Sequence, residues 1–204
     1  MKLPFTTLAL AFAASTLAQY DNESPPFNLV LLSADEKVNG STLSACHSGA
    51  GISSLCLSNG NSTSAPSPQP VATFHFNTST IPQPASPGST PGFLSYDVPT
   101  STTPIPSTLD FFVDPITNFA LPLFYPGNEG RTLAFDDQDL LNVQGYVDYG
   151  VNPPKSGDWV AYYRWFSCTT YYMAYEYVNV VWGLGVGEPE TPDCVKVEVK
   201  RVIV

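Results

Sequence analysis

The sequence predicts an all-β fold, an antiparallel β-sandwich or closed β-barrel in a single domain, and three observations predict it. Hydrophobic residues recur at period two or in short runs, and no segment beyond the N-terminal leader carries the 3.6-residue period of an amphipathic helix. Residues 195–200 are the cleanest case: Val195, Val197 and Val199 alternate with Lys196, Glu198 and Lys200, the pattern of a strand with one face on the core and one in water. Hydrophobic residues make up 43% of the chain and aromatics 13%, enough for one sizeable core.

Each element follows from local chemistry. Residues 27–32 (FNLVLL) form a first strand, and Asn39-Gly40 marks a turn because both residues tolerate positive φ. Residues 43–47 and 52–58 form two short strands around Ser48-Gly49-Ala50-Gly51. Residues 59–108 hold ten of the twenty prolines. Proline donates no ladder hydrogen bond, so this stretch reads as long Pro/Ser/Thr-rich surface loops, with ordered strands only at 71–76 and 93–98. An O-glycosylated stalk is the rival reading. Strands follow at 109–113, 116–125 and 131–135, separated by turns at Asp114-Pro115 and Pro126-Gly127. Another covers 140–149, ended by Asn152-Pro153-Pro154. Residues 159–168 and 171–184 then read as two aromatic strands. Eight or more strands without helices give a sandwich or barrel, and the lack of a fixed repeat makes propellers and solenoids poor candidates.

Residues 1–18 read as a secretory leader, with Lys2, an apolar run from Leu8 to Ala14, and a small-residue site ending at Ala18. The run is shorter than the ~20 residues that span a bilayer. Cleavage leaves a domain over 19–204, expected to be secreted, extracellular and not anchored in a membrane. Eighteen acidic residues against eight basic ones give a formal net charge of −10. That balance, without a basic run, argues against nucleic acid and anionic membranes as partners.

Four cysteines in an exported chain make two disulfides, and three connectivities are open. Nearness along the chain favours Cys46–Cys56 and Cys168–Cys194. A tight hairpin around residues 48–51 opposes the first pair, since it would set Cys46 opposite Ser53 and hold Cys56 beyond the ~7 Å Cα separation of a bridge. Sequons at Asn22, Asn39, Asn61 and Asn77 predict N-glycosylation of a surface already poor in charge.

No catalytic signature emerges. Gly-x-Ser-x-Gly does not occur. His47 and His75 both fall within predicted strands, where structural roles are commoner than catalysis or metal binding. Asp136-Asp137-Gln138-Asp139 carries carboxylates suited to Ca²⁺ but not in the order of a calcium loop, so it reads as a solvated turn. A glycosidase acid pair cannot be picked out among eighteen acids. The aromatic strands are the strongest hint of binding. Trp159, Trp165 and Trp182 form a candidate ligand face on which sugars would stack if the rings are exposed; if buried, they are core.

Short motifs add a resemblance. Phe27-x-Leu29, His47-Ser48-Gly49-Ala50-Gly51, Cys168, Trp182-Gly183-x-Gly185, Pro189 and Pro192-Asp193-Cys194-Val195-x-Val197 resemble an uncharacterised family of small secreted proteins of filamentous fungi. The resemblance implies an extracellular protein with a Cys168–Cys194 disulfide, and no activity. The expected function is a non-enzymatic secreted glycoprotein, without cofactor or metal, that binds carbohydrate or other cell-wall material. The alternatives are an extracellular hydrolase and a secreted effector or structural surface protein.

Overall fold

A computed structural model of the chain describes residues 20–60, 62 and 68–204. The expected leader and the sequon at Asn61 lie outside the described residues. Among the described residues there is no helix, and strands account for 55% of the fold.

Fifteen strands form in chain order: β1 (Asn22–Glu23), β2 (Phe27–Leu32), β3 (Leu43–Gly49), β4 (Ile52–Leu57), β5 (His75–Thr78), β6 (Thr90–Val98), β7 (Ile105–Val113) and β8 (Phe119–Pro126) come first. They are followed by β9 (Leu133–Phe135), β10 (Leu141–Asp148), β11 (Lys155–Tyr162), β12 (Trp165–Tyr172), β13 (Tyr175–Gly183), β14 (Val195–Lys196) and β15 (Glu198–Ile203). Thirteen make one antiparallel sheet whose main path runs β11-β10-β9-β6-β7-β8-β4-β13-β12-β14, with β5 beside β6, β1 beside β5, and β3 beside β4. The sheet curls into a half-barrel, and β2 and β15 pair as a separate ribbon. The result is a single all-β domain.

The apolar side chains of the ribbon join the main core. Phe27, Leu29 and Leu31 of β2, with Val197 and Val199, are at most 1% exposed, as period-two burial requires. They pack with Phe74, Phe76, Phe124, Phe135 and Trp165 in the main core. The alternation read at 195–200 holds at Val197 and Val199, but the segment changes partner midway. Val195 and Lys196 pair with β12, the Val197 amide donates to the Trp165 carbonyl at 3.1 Å, and Glu198 onward pairs with β2. One segment, β14 and β15, thus joins the sheet to the ribbon.

A smaller cluster lies apart from the main core, with Leu121, Leu123, Phe166, Cys168 and Val181 buried together. The segment 184–194 is fastened there by the Cys168–Cys194 disulfide, with Cα atoms 4.3 Å apart. Asn118 clamps it, its amide donating to the Glu188 carbonyl at 2.9 Å and its Oδ1 accepting from the Glu190 amide at 2.8 Å.

Three sequence expectations need correction. Prolines do enter the sheet: Pro106 lies in β7, between β6 and β8. Its carbonyl accepts from the Gly127 amide beyond the end of β8, so its missing N–H falls where the β8 ladder has already ended. Residues 159–168 are two strands, broken at Tyr163-Arg164. The next turn is at Met173-Ala174, both at positive φ, rather than at residues 169–170. A two-residue loop of this kind matches the twist of paired strands.

The Cys46–Cys56 bridge does form, with Cα atoms 5.9 Å apart, and a bulge explains how. Gly49 pairs with Ile52, but His47 pairs with Ser53 and Cys46 with Ser54. The extra residue, Ser48, shifts the register by one and brings Cys46 and Cys56 to the same face. Ser48 is itself tied down, its hydroxyl donating to the Cys46 carbonyl and to the Ser54 hydroxyl, each at 3.0 Å.

Candidate binding groove

The three tryptophans do not form one face. Trp165 is fully buried and Trp182 is 7% exposed. They stand opposite each other across β12 and β13 with ring centroids 4.8 Å apart. The Trp165 indole N–H donates to the Leu141 carbonyl at 2.7 Å, which satisfies its polar atom inside the core. Trp165 cannot present a ring to a ligand, and Trp182 presents little surface.

Trp159 is different. It sits half-buried on β11, the strand that ends the main path of the sheet. Between β10 and β11 the register slips: Gly145 pairs with Val160 but Val147 pairs with Ser156. Only Tyr146 of β10 therefore opposes residues 157–159, and the bulge turns its ring onto Trp159, with centroids 4.9 Å apart and planes 43° from parallel. Tyr146 is 48% exposed and the neighbouring Tyr149 is 79% exposed. Bulges re-aim side chains at sheet edges in this way.

Beside this pair runs an open groove of about 440 Å³, lined by Tyr146, Tyr149, Trp159, Tyr162 and Arg164, with Trp182 and Gly145 among the remaining lining residues. Tyr162 lies against Gly145, where a Cβ would stand 3.0 Å from its ring. The Arg164 guanidinium lies 4.9 Å from the centre of the Tyr162 ring. Gln144 is held at both ends of its amide. Its Oε1 accepts from the Ser86 amide at 2.7 Å, and its Nε2 donates to the Asn142 Oδ1. The walls of the groove thus combine aromatic rings on and beside β10, β11 and β13 with one cation from the joint between β11 and β12.

The other sequence candidates lie elsewhere in the fold. Asp136 Oδ1 accepts from the Gln138 and Leu140 amides at 2.9 Å each, and its Oδ2 accepts from the Tyr163 hydroxyl at 2.6 Å. Asp139, at φ 63°, pairs with Arg201 at 2.5 Å. The acidic cluster is therefore a turn that anchors β15. No group of three metal-ligating side chains occurs among the described residues. His47 is exposed on β3 with its ring 5.2 Å from that of Tyr175. His75 Nδ1 lies 3.3 Å from a Glu23 carboxylate oxygen and 3.2 Å from the Ser24 carbonyl, tying β5 to the segment around β1.

Of the sequons, Asn22 and Asn39 are exposed and Asn77 is half-buried on β5. What sequence reasoning missed was Tyr146, Tyr149 and Arg164. The unequal spacing that makes the bulge has no signature in either strand alone.

Among curated proteins and solved structures, none matches the chain. A family model described as a domain of unknown function (DUF7907) matches residues 24–203, nearly the whole described fold, and the chain belongs to that family.

Proposed function

We propose that the protein is an exported, N-glycosylated, non-catalytic binding module that holds cell-wall carbohydrate in the groove beside Trp159. The observation that carries this reading is the Tyr146–Trp159 pair, partly exposed at the wall of an aromatic groove. Sugar rings present apolar C–H faces that stack on indole and phenol rings, while tyrosine hydroxyls and a guanidinium supply hydrogen bonds to the sugar oxygens. The two disulfides suit an oxidising, extracellular setting. In this reading the leader is removed after Ala18, the mature domain begins at Gln19, and glycans occupy two or three of Asn22, Asn39, Asn61 and Asn77, with Asn22 disfavoured by Pro25.

Pull-down of the secreted protein with insoluble wall polysaccharides, together with a glycan array, tests the reading. Selective binding that is lost in Trp159→Ala, with the unfolding midpoint of that variant close to the parent, is the expected result. Binding to no glycan, or binding untouched by Trp159→Ala, would reject the groove as the site. The mass of the secreted protein before and after enzymatic deglycosylation checks the leader and the sequons together.

A further inference from the structure

The Trp159 groove is not alone. A second groove, of about 400 Å³, is lined by Arg131, Thr132, Pro91 and Tyr20, and it shares Val143, Gln144 and Trp159 with the first. The two depressions therefore adjoin at one ridge, made of an indole ring and a fixed glutamine. Each contains one arginine: Arg131 in the second and Arg164 in the first.

The charge of the linings is out of keeping with the protein. The chain carries eighteen acidic residues and eight basic ones, yet neither lining contains an aspartate or glutamate among the described residues. Three other grooves among the described residues each include at least one, with Asp114, Glu23, and Asp35 with Asp193 respectively. Arg131 is half exposed and backed by Asp110 at 3.4 Å, which orients its fork without lining the groove. Arg164 rests on Tyr162. Charges beyond about 8 Å are largely screened at physiological salt, so distant acids weigh little at this site, while Asp110, at 3.4 Å, offsets part of the Arg131 charge.

We infer that the two grooves are one cleft for an extended glycan carrying carboxylates, a polyuronate, with a sugar stacked at the Trp159 ridge and acid groups met by Arg131 and Arg164. This rests on the carbohydrate reading above and names the class of polymer. Guanidinium forks match carboxylates bidentately, and two depressions either side of one ring fit a chain of several sugars better than a single sugar.

The experiment compares polygalacturonate with its fully methyl-esterified form, which keeps the backbone and removes the charge. Calorimetry or affinity electrophoresis is run on the parent, Arg131→Gln, Arg164→Gln and Arg164→Lys, with thermal unfolding confirming the fold of each. Polygalacturonate is expected to bind, more weakly as salt rises, and the esterified polymer to bind far less. Each Arg→Gln change should weaken binding by about tenfold, the scale of one hydrogen bond to a charged group. Arg164→Lys should fall between parent and Arg164→Gln. Equal binding of both polymers, with the arginine variants unchanged, would overturn the polyuronate inference and leave a neutral-glycan site standing. Loss in Trp159→Ala of binding to neutral glycans alone would have the same meaning. No binding of either polymer, or of any neutral glycan, would remove both proposals together.

Discussion

In the β12–β13 hairpin, Trp165 and Trp182 face each other across a regular ladder and pack into the main core, whereas in the neighbouring β10–β11 hairpin Trp159 and Tyr146 meet across a bulge near the edge of the sheet. The two hairpins are built from the same residue types. What separates them is position and register. β12 and β13 lie between β14 and the strands β4 and β8, and the main core packs on the face that carries Trp165 and Trp182. Among the described residues β11 pairs only with β10, and it carries Lys155 and Asp158, charges that discourage another strand from pairing with it. Aromatic content alone does not distinguish a core from a binding face; the neighbours of a strand do.

The largest effect that would break this comparison is on stability. Trp165→Ala removes a fully buried indole and orphans the Leu141 carbonyl. It should cost about 3–5 kcal/mol, the usual range for truncating a core aromatic. Trp159→Ala should cost about 1 kcal/mol or less, as expected of a partly exposed site. Urea unfolding of both variants measures the difference. Equal losses would show that the β10–β11 rings are as much part of the core as those of β12–β13.

Next in size are the disulfides. Cys168–Cys194 fastens segment 184–194 over the smaller cluster. A double Cys→Ala variant should lose about 3 kcal/mol on the chain-entropy scale. Amide exchange at Thr169, now protected by the Asp193 carboxylate at 2.9 Å, should quicken with it. Cys46–Cys56 closes a shorter loop of 10 residues and its removal should cost slightly less, with the Thr169 amide unaffected. If Thr169 quickened equally in both variants, the segment would not be held by its own bridge.

A smaller change sharpens the difference at the groove itself. Gly145→Ala places a methyl 3.0 Å from the Tyr162 ring. That ring is half-buried against the main core, with Arg164 over it, so it should give way on its exposed side. Stability should change by less than about 1 kcal/mol, while glycan affinity falls because Tyr162 and Arg164 both line the groove. Unchanged affinity would place the ligand contacts away from this wall.

The elements legible in the sequence were those fixed by local chemistry. The FNLVLL run is β2 to the residue, and the Val195–Val199 alternation puts Val197 and Val199 in the core. The pairing of Cys168 with Cys194 and the all-β class also followed. Features that depend on two strands together were not legible. The bulge at Ser48, which resolves the apparent conflict over Cys46, is set by which residues β4 offers. The bulge opposite Tyr146, which makes the groove, is set in the same way. Pro106 was misread because a proline's place in a ladder depends on where its neighbour ends. The motif residues behind the family resemblance proved to be fold-makers. Pro189 is buried, Asp193 accepts from the Thr169 amide, and Gly183 donates to the Arg164 carbonyl. They identify a scaffold, and of them only Trp182 touches the groove.

The smallest expected effect lies at Tyr163, in the two-residue joint between the hairpins. Burial, then the hydrogen bond to Asp136 and the nearby charges of Asp136, Asp137 and Glu198, push its phenol up to about 12. A group whose folded value is raised stabilises the fold fully below its unfolded value, near 10, and loses that contribution as pH climbs to about 12. Lys196, whose ammonium donates to the Tyr163 carbonyl, is shifted the other way. Burial lowers it, Glu198 opposes the shift and Arg164 adds to it. Its charged form is therefore disfavoured in the fold, and stability recovers slightly as pH rises from its folded value towards its ordinary one. The two act in opposite senses near pH 10, and above that the phenol dominates because it alone is still titrating. Tyr125 is also pushed up to about 12, chiefly by burial, and contributes in the same window. Thermal unfolding between pH 9 and about 12 should therefore show a falling midpoint in the parent and a shallower fall in Tyr163→Phe, which keeps the ring and removes the proton. Superimposable profiles would mean that the joint does not hold its phenol against Asp136 in solution, and that the two hairpins are coupled only through the core beneath them.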